Sequence, residues 1–135
     1  VTINQEAWMQ TRSIWADGRG HPPVEELDPS FHGHSIGHWD GTTLVVDTVG
    51  ILDTLEVGTG GRHSDQFRLV EQIALDPADP DVLVNQMVMT DPLAFSAPYA
   101  VTVRYRRDRH GSLIEFQCAQ NDRNPVDSEG NTLFE

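Results

Sequence analysis

Gly33-His-Ser-Ile-Gly-His-Trp-Asp-Gly-Thr-Thr-Leu-Val-Val-Asp47 decides the fold class, because it reads as two short strands closing on a tight turn. Asp-Gly is a preferred pair for a two-residue type I′ hairpin loop, which puts the turn at Asp40-Gly41. A loop of that length fixes the register: Trp39 is expected to face Thr42, His38 to face Thr43, Ile36 to face Val45 and His34 to face Asp47. Cross-strand neighbours stand side by side on one face, with Cβ atoms roughly 5 Å apart. The hairpin therefore predicts that His34 and Asp47 meet, with His38 further along the same face. An imidazole oriented by a carboxylate is the working part of many acid–base sites. It is equally a pair that can do no more than pin a hairpin.

Outward from the hairpin, a period of two recurs between turn signals, the pattern of an all-β chain. Upstream, Glu6–Ala16 carries Trp8, Met9, Ile14 and Trp15 and stops at Asp17-Gly18, and the loop Gly20–Phe31 holds three prolines. A single helical turn is conceivable at Pro23–Leu27. Downstream, Gly50–Arg62 reads as a long loop or lid. Gln66–Leu75 puts Phe67, Leu69, Glu71 and Ile73 on one face, the turn Asp76–Asp81 leads into Val82–Thr90, and Asp91-Pro92 through Pro98 is a break. Tyr99–Arg107 aligns Tyr99, Val101, Val103 and Tyr105, and Asp108–Gly111 turns the chain into Ser112–Ala119. About seven strands joined mainly by hairpins make an antiparallel meander, which must close or stack to remove its edges. A small closed barrel of the lipocalin or calycin type, with room for side chains or one small ligand, is the economical solution; a β-sandwich is the alternative. The 135 residues are read as one domain, 1–135, with an irregular tail from about 121.

Composition removes several functions. The net charge of −12 argues against nucleic acid or an anionic membrane as partner, since both call for a basic face. The basic cluster Arg104, Arg106, Arg107 and Arg109 flanks a turn and reads as a solvated strand end. All nine basic residues are arginine, so Schiff-base and covalent pyridoxal phosphate chemistry are excluded. The single cysteine, Cys118, cannot form an internal disulfide and reads as a buried thiol. No apolar run is long enough to span a bilayer as a helix. No signal peptide is read at the start, and a first residue of Val1 is expected of a trimmed or processed form.

Five of the six histidines fall between His21 and His63, a second clear signal. Three readings compete. In the first, His32, His34 and His38 supply imidazoles to a metal, completed by Asp47 or His63; no HExxH or CxxC pattern accompanies them. In the second, His34 and Asp47 form a metal-free acid–base pair, His63-Ser64-Asp65 adds polar groups from the end of the long loop, and Glu71 and Glu115 are strand carboxylates that burial would make proton carriers. In the third, all of these are structural. Ser35 and Ser64 lie in no nucleophile elbow, and Ser35 points away from His34 if the hairpin alternates. There is no GxGxxG and no P-loop.

The stretches Ala16-Asp-Gly-Arg-Gly-His-Pro22, Leu27-Asp-Pro-Ser30 and Gly33 through Gly50, then His63-Ser-Asp65, Glu71, Asp91-Pro92 and Ile114–Asn121, resemble a family of small bacterial hypothetical proteins. Its motifs are DGRxHP, GHSxGxWDG and HS[DE]. The resemblance covers most of the chain and implies a periplasmic or secreted protein, but no activity. Asp65 stands where that pattern usually has Glu, and His38 where it usually has Arg, which weakens a three-histidine metal site.

The expectation is therefore an enzyme performing acid–base chemistry on a small hydrophobic molecule in an apolar barrel pocket, of lyase, isomerase, cyclase or hydratase type. His34, Asp47, His63 and Glu71 would be catalytic. Trp39, His38, Phe67, Tyr99 and Glu115 would bind the substrate. No metal or other cofactor, no nucleic acid and no membrane is expected, and a homodimer is one option for the assembly. The alternatives are a non-catalytic binding protein for a hydrophobic small molecule and a histidine-cluster metal-binding protein.

Overall fold

The computed structural model describes residues 1–6, 10–57, 60–112 and 128. The chain is all-β: β1 (Thr2–Gln5), β2 (Gln10–Trp15), β3 (His34–Asp40), β4 (Thr43–Val49), β5 (Arg68–Asp76), β6 (Asp79–Thr90) and β7 (Tyr99–Arg106). They form one seven-stranded sheet in chain order, curled into a half-barrel. A barrel closes only when the last strand pairs with the first. Here four-residue β1 pairs only with β2, so among the described residues the sheet is open, and no second sheet makes a sandwich. The expected strand Ser112–Ala119, with Glu115 and Cys118, and the expected tail lie outside the described residues.

The pairing is antiparallel except between β2 and β3, where Ile14 lies beside Ser35 and Trp15 beside Ile36 in parallel. The all-antiparallel meander is corrected at this point. The proline-rich connection 16–33, whose one regular element is a short 3-10 turn at Val24–Glu26, crosses over and returns the chain in the same direction.

The hairpin register also differs from expectation. Its two-residue loop is Gly41-Thr42, with Gly41 at φ 58°, and Asp40 stays in β3 paired with Thr43. Left-handed φ is accessible to glycine without strain, so Gly41 takes the first loop position and Asp40 is left to the strand. Moving the turn by one residue moves every partner by two. His34 faces Val49 and Ile36 faces Asp47. A shift of two preserves the face of each side chain, where a slip of one would have exchanged them.

Alternation divides the sheet. Leu44, Val46 and Thr48 of β4 are buried, and Ile14, Leu44 and Val46 form the core with Ile3 and Ile73 packed against them. Gly37 belongs to this inner face because a Cβ there would come within 2.9 Å of Ile14 Cγ2. The register of β5 places Leu69, Glu71 and Ile73 on the same face, as expected. The β5–β6 turn is shorter than expected, with β6 already beginning at Asp79. Pro80 falls in the segment that a register shift after Leu75 leaves unpaired, so its missing N–H costs no ladder bond. The arginine cluster is a row of exposed ion pairs: Arg104 with Asp76, Arg106 with Asp79 at 3.0 Å, and Arg109 with Asp81 at 2.5 Å. Among the described residues no helix is long and apolar enough to cross a membrane.

Candidate functional site

The residues expected to meet in one pocket lie in three places. Glu71 is on the inner face, His34 and Asp47 on the outer face, and His63 at the end of the loop that enters β5. A single site built from all four is therefore corrected.

On the inner face Glu71 is buried and fully engaged. One carboxylate oxygen accepts from Asn85 Nδ2 at 2.9 Å and the other is ion-paired with Arg12. The Arg12 guanidinium also donates to Thr48 Oγ1 at 2.8 Å and to Ser35 Oγ at 3.2 Å, and those two hydroxyls lie 2.9 Å apart. The network runs from β2 to β6 and joins five strands. Taking charges out of water is costly unless pairing and hydrogen bonds compensate, and here they do. The expected carboxyl among apolar neighbours is instead held in place by a cation.

On the outer face His34 does not touch Asp47, because the two-residue shift sets them diagonally. A residue from the crossover loop intervenes. His21 Nδ1 lies 2.9 Å from His34 Nδ1, and His21 Nε2 lies 3.6 Å from Asp47 Oδ2. The three line up as Asp47–His21–His34, with hydrogen-bond distance between the two rings and a longer approach, beyond hydrogen-bond distance, between buried His21 Nε2 and Asp47. Arg68 grips the other side of Asp47, with Nε to Oδ1 at 2.8 Å and Nη2 to Oδ2 at 2.5 Å. That pair of bonds, outweighing partial burial, holds the Asp47 carboxyl below its ordinary range. Burial, followed by the charges of His21 and Arg19, pulls His34 below the ordinary histidine value. The position of His34 depends on Gly33, whose φ is 63° and whose Cβ, if it had one, would collide with the Val49 carbonyl.

His34 lines a cleft of about 480 Å³ between the outer face of β2 and the loop 22–33. Its walls include Trp15, Leu27 and Phe31, with Glu26 and Asp28 at hand. His32 also borders it, lowered first by burial and then by the charge of Arg12. On the other side of the His21–His34 pair, a second cleft of about 370 Å³ has Arg19, Ile36, His38, Val45 and Asp47 among its residues. Arg19 stands 4.1 Å from the centroid of the Trp15 ring and its guanidinium donates to both carboxylate oxygens of Asp17.

His63 stands apart. It is buried against Phe67, ring centroids 4.5 Å apart, and its Nδ1–H donates to the Ser64 carbonyl at 2.9 Å. Beside it buried Asp91 accepts from Ser64 N, Ser64 Oγ, Leu93 N and Ala94 N, tying the loop before β5 to the turn after β6. Despite burial, those donors hold the Asp91 carboxyl below its ordinary range.

The expected substrate-binding set is likewise dispersed. Trp39 is exposed near the hairpin tip, Phe67 is buried beside His63 and Phe95, Tyr99 is exposed on β7, and only His38 borders the outer-face clefts. Glu115 lies outside the described residues. His32, His34 and His38 do not converge, and among the described residues no three His, Cys, Asp or Glu side chains are grouped to hold a metal ion. Two stretches distant in sequence meet in space here, Asp17–Pro22 supplying His21 and Gly33–Gly41 supplying His34. No protein-family model, curated protein or solved structure matches the chain.

Proposed function

We propose that the protein is a small-molecule enzyme of acid–base type, a lyase, isomerase, cyclase or hydratase, in which His34 moves the proton. The observation that carries this is the Asp47–His21–His34 chain with its last imidazole in an aromatic-walled cleft. Two Nδ1 atoms at 2.9 Å cannot both bear a proton, so one ring donates and the other accepts. With the Asp47 carboxylate drawing the proton of His21 to Nε2, His21 Nδ1 becomes the acceptor and His34 Nδ1–H the donor. His34 Nε2 is then a bare lone pair, the state a general base requires. When it takes a proton from a bound molecule, the positive charge is shared toward His21 and stabilised by Asp47. The same proton returns in the second half of the reaction. Trp15, Leu27 and Phe31 would hold the apolar part of the substrate. His21 and Asp47 are positioning residues. An enclosed barrel pocket is not needed for this chemistry.

The test uses 5-nitrobenzisoxazole, whose ring opens to a coloured cyanophenolate when a base removes its one heterocyclic C–H proton and the N–O bond breaks. Saturable turnover by the parent is expected, lowered about 10²–10⁴-fold by His34→Ala. Turnover unchanged in that variant would overturn the assignment. Saturable binding with no acceleration over free imidazole would favour a non-catalytic binding protein using the same cleft.

A further inference from the structure

We infer that the cleft beside His34 selects small molecules carrying a protonated amine on an apolar body. The inference deepens the proposed function, naming the substrate class of the same cleft. It starts from charge. Among the described residues every arginine except Arg62 is already ion-paired with a carboxylate: Arg12 with Glu71, Arg19 with Asp17, Arg68 with Asp47, Arg104 with Asp76, Arg106 with Asp79, Arg109 with Asp81 and, at a looser 3.8 Å, Arg107 with Asp81. The chain has no lysine, so it has no ammonium side chain of its own to offer. Glu26 and Asp28, which line the cleft, have no ion-pair or hydrogen-bond partner for their carboxylates among the described residues. The imidazoles bordering it, His32 and His34, are both pulled below the ordinary histidine value and add no positive charge near neutral pH. The cleft is therefore negative, in a protein of net charge −12 whose field draws cations and repels anions.

The walls suit the rest of such a molecule. Trp15 and Phe31, both lining the cleft, are 43% and 49% exposed. Aromatic faces attract cations as well as apolar groups; over Trp15 lies the Arg19 guanidinium, itself paired with Asp17, so the ring offered to an incoming ammonium is Phe31. A volume of about 480 Å³ accommodates a molecule of one or two rings. A carboxylate-bearing compound of the same size would meet Glu26 and Asp28 without a counter-charge.

The probes are benzylammonium, benzyl alcohol and phenylacetate, titrated into the intact protein and followed by the amide and indole N–H resonances. Benzylammonium is expected to shift the Trp15 and Phe31 signals and to bind about five-fold more tightly than benzyl alcohol, with added salt eroding the difference. Phenylacetate is expected to bind most weakly. The double variant Glu26→Gln, Asp28→Asn should abolish the preference; both side chains are exposed, and an unchanged thermal midpoint confirms the fold. Phenylacetate binding as well as benzylammonium, or a preference surviving the double variant, overturns the inference. His34→Ala separates it from the proposed function. If that variant leaves 5-nitrobenzisoxazole turnover untouched while benzylammonium is still preferred, the acid–base assignment fails and the amine site stands.

Discussion

The two faces of β3–β5 receive the same kinds of side chain and put them to opposite uses. On the inner face Arg12, Ser35, Thr48, Glu71 and Asn85 bond to one another under the core. On the outer face Asp47, Arg68, His21 and His34 begin with a two-bond but more exposed ion pair, and the run of contacts ends at an imidazole lining a cleft. A buried polar group is quiet when all its partners are internal and available for chemistry when its last partner must come from outside. The comparison teaches that carboxylates and histidines do not mark a site by their identity. What distinguishes the two faces is whether the charges close on internal partners; on the inner face only the neutral amide oxygen of Asn85 is left without one among the described residues.

If the difference is one of closure, breaking each network should produce different kinds of damage. The largest effect is expected inside. Arg12→Leu leaves Glu71 as a buried charge without its cation, and one-sided removal of this kind costs about 3–5 kcal/mol. Urea unfolding monitored by circular dichroism should record a loss of that size. The double variant Arg12→Leu, Glu71→Leu should recover part of it, since no charge is then left unpaired. A loss below about 1 kcal/mol would place the inner network in water and dissolve the contrast.

Next in size is the outer chain, where Asp47→Asn and His21→Ala should act on proton transfer and hardly on stability. Each is expected to lower 5-nitrobenzisoxazole turnover by at least about ten-fold while the urea midpoint stays near that of the parent. This follows because a positioning group fixes a tautomer and does not support the core. A midpoint falling as far as in Arg12→Leu would make the outer chain a second structural network.

pH sharpens the comparison further. His32 and His34 are both held below the ordinary histidine value of about 6.5 in the folded state, mainly by burial. Between that value and their folded values the unfolded chain binds more protons, so stability rises with pH across that window. Acidification from pH 7 should therefore weaken the protein as it passes about 6.5 and level off once both histidines are protonated in the folded state. His34→Gln together with His32→Gln should flatten the window. The rate of a His34-dependent reaction should hold below pH 6.5 and fall at the lower folded value. The smallest effect is reserved for the exposed pairs: Arg104→Ala, at a contact screened by solvent, should leave the urea midpoint within error of the parent.

How much of this could be read from the residues alone follows the same physics. Period-two alternation survives a register error of two, which is why the shared face of His34, His38 and Asp47, and that of Leu69, Glu71 and Ile73, were legible while the contact between His34 and Asp47 was not. The loop at Gly41-Thr42 differs from one at Asp40-Gly41 by a single residue, and glycine at position 41 suits both. His21 was visible as part of a histidine cluster, but its role was hidden because it lies in a proline-rich crossover whose path is set by tertiary contacts. Arg12 had a faint signal, a charge alternating with Ile14 on the face that packs the core. Its partner Glu71 was found, although as a proton carrier and not as half of an ion pair. Asn85 gives no local sign, since its partner Glu71 lies on another strand; Asp91 is legible only as the start of a turn, where Leu93 and Ala94 donate to it, and its bonds to Ser64 are not.

The central claim is the tautomer chain, and nitrogen-15 NMR of the histidine rings at pH 7 measures it directly. The account predicts His34 as the neutral Nδ1–H form with a bare Nε2, and His21 with its proton on Nε2 beside Asp47. Asp47→Asn should disturb both assignments. A His34 ring that carries its proton on Nε2, or that is charged at pH 7, would contradict it.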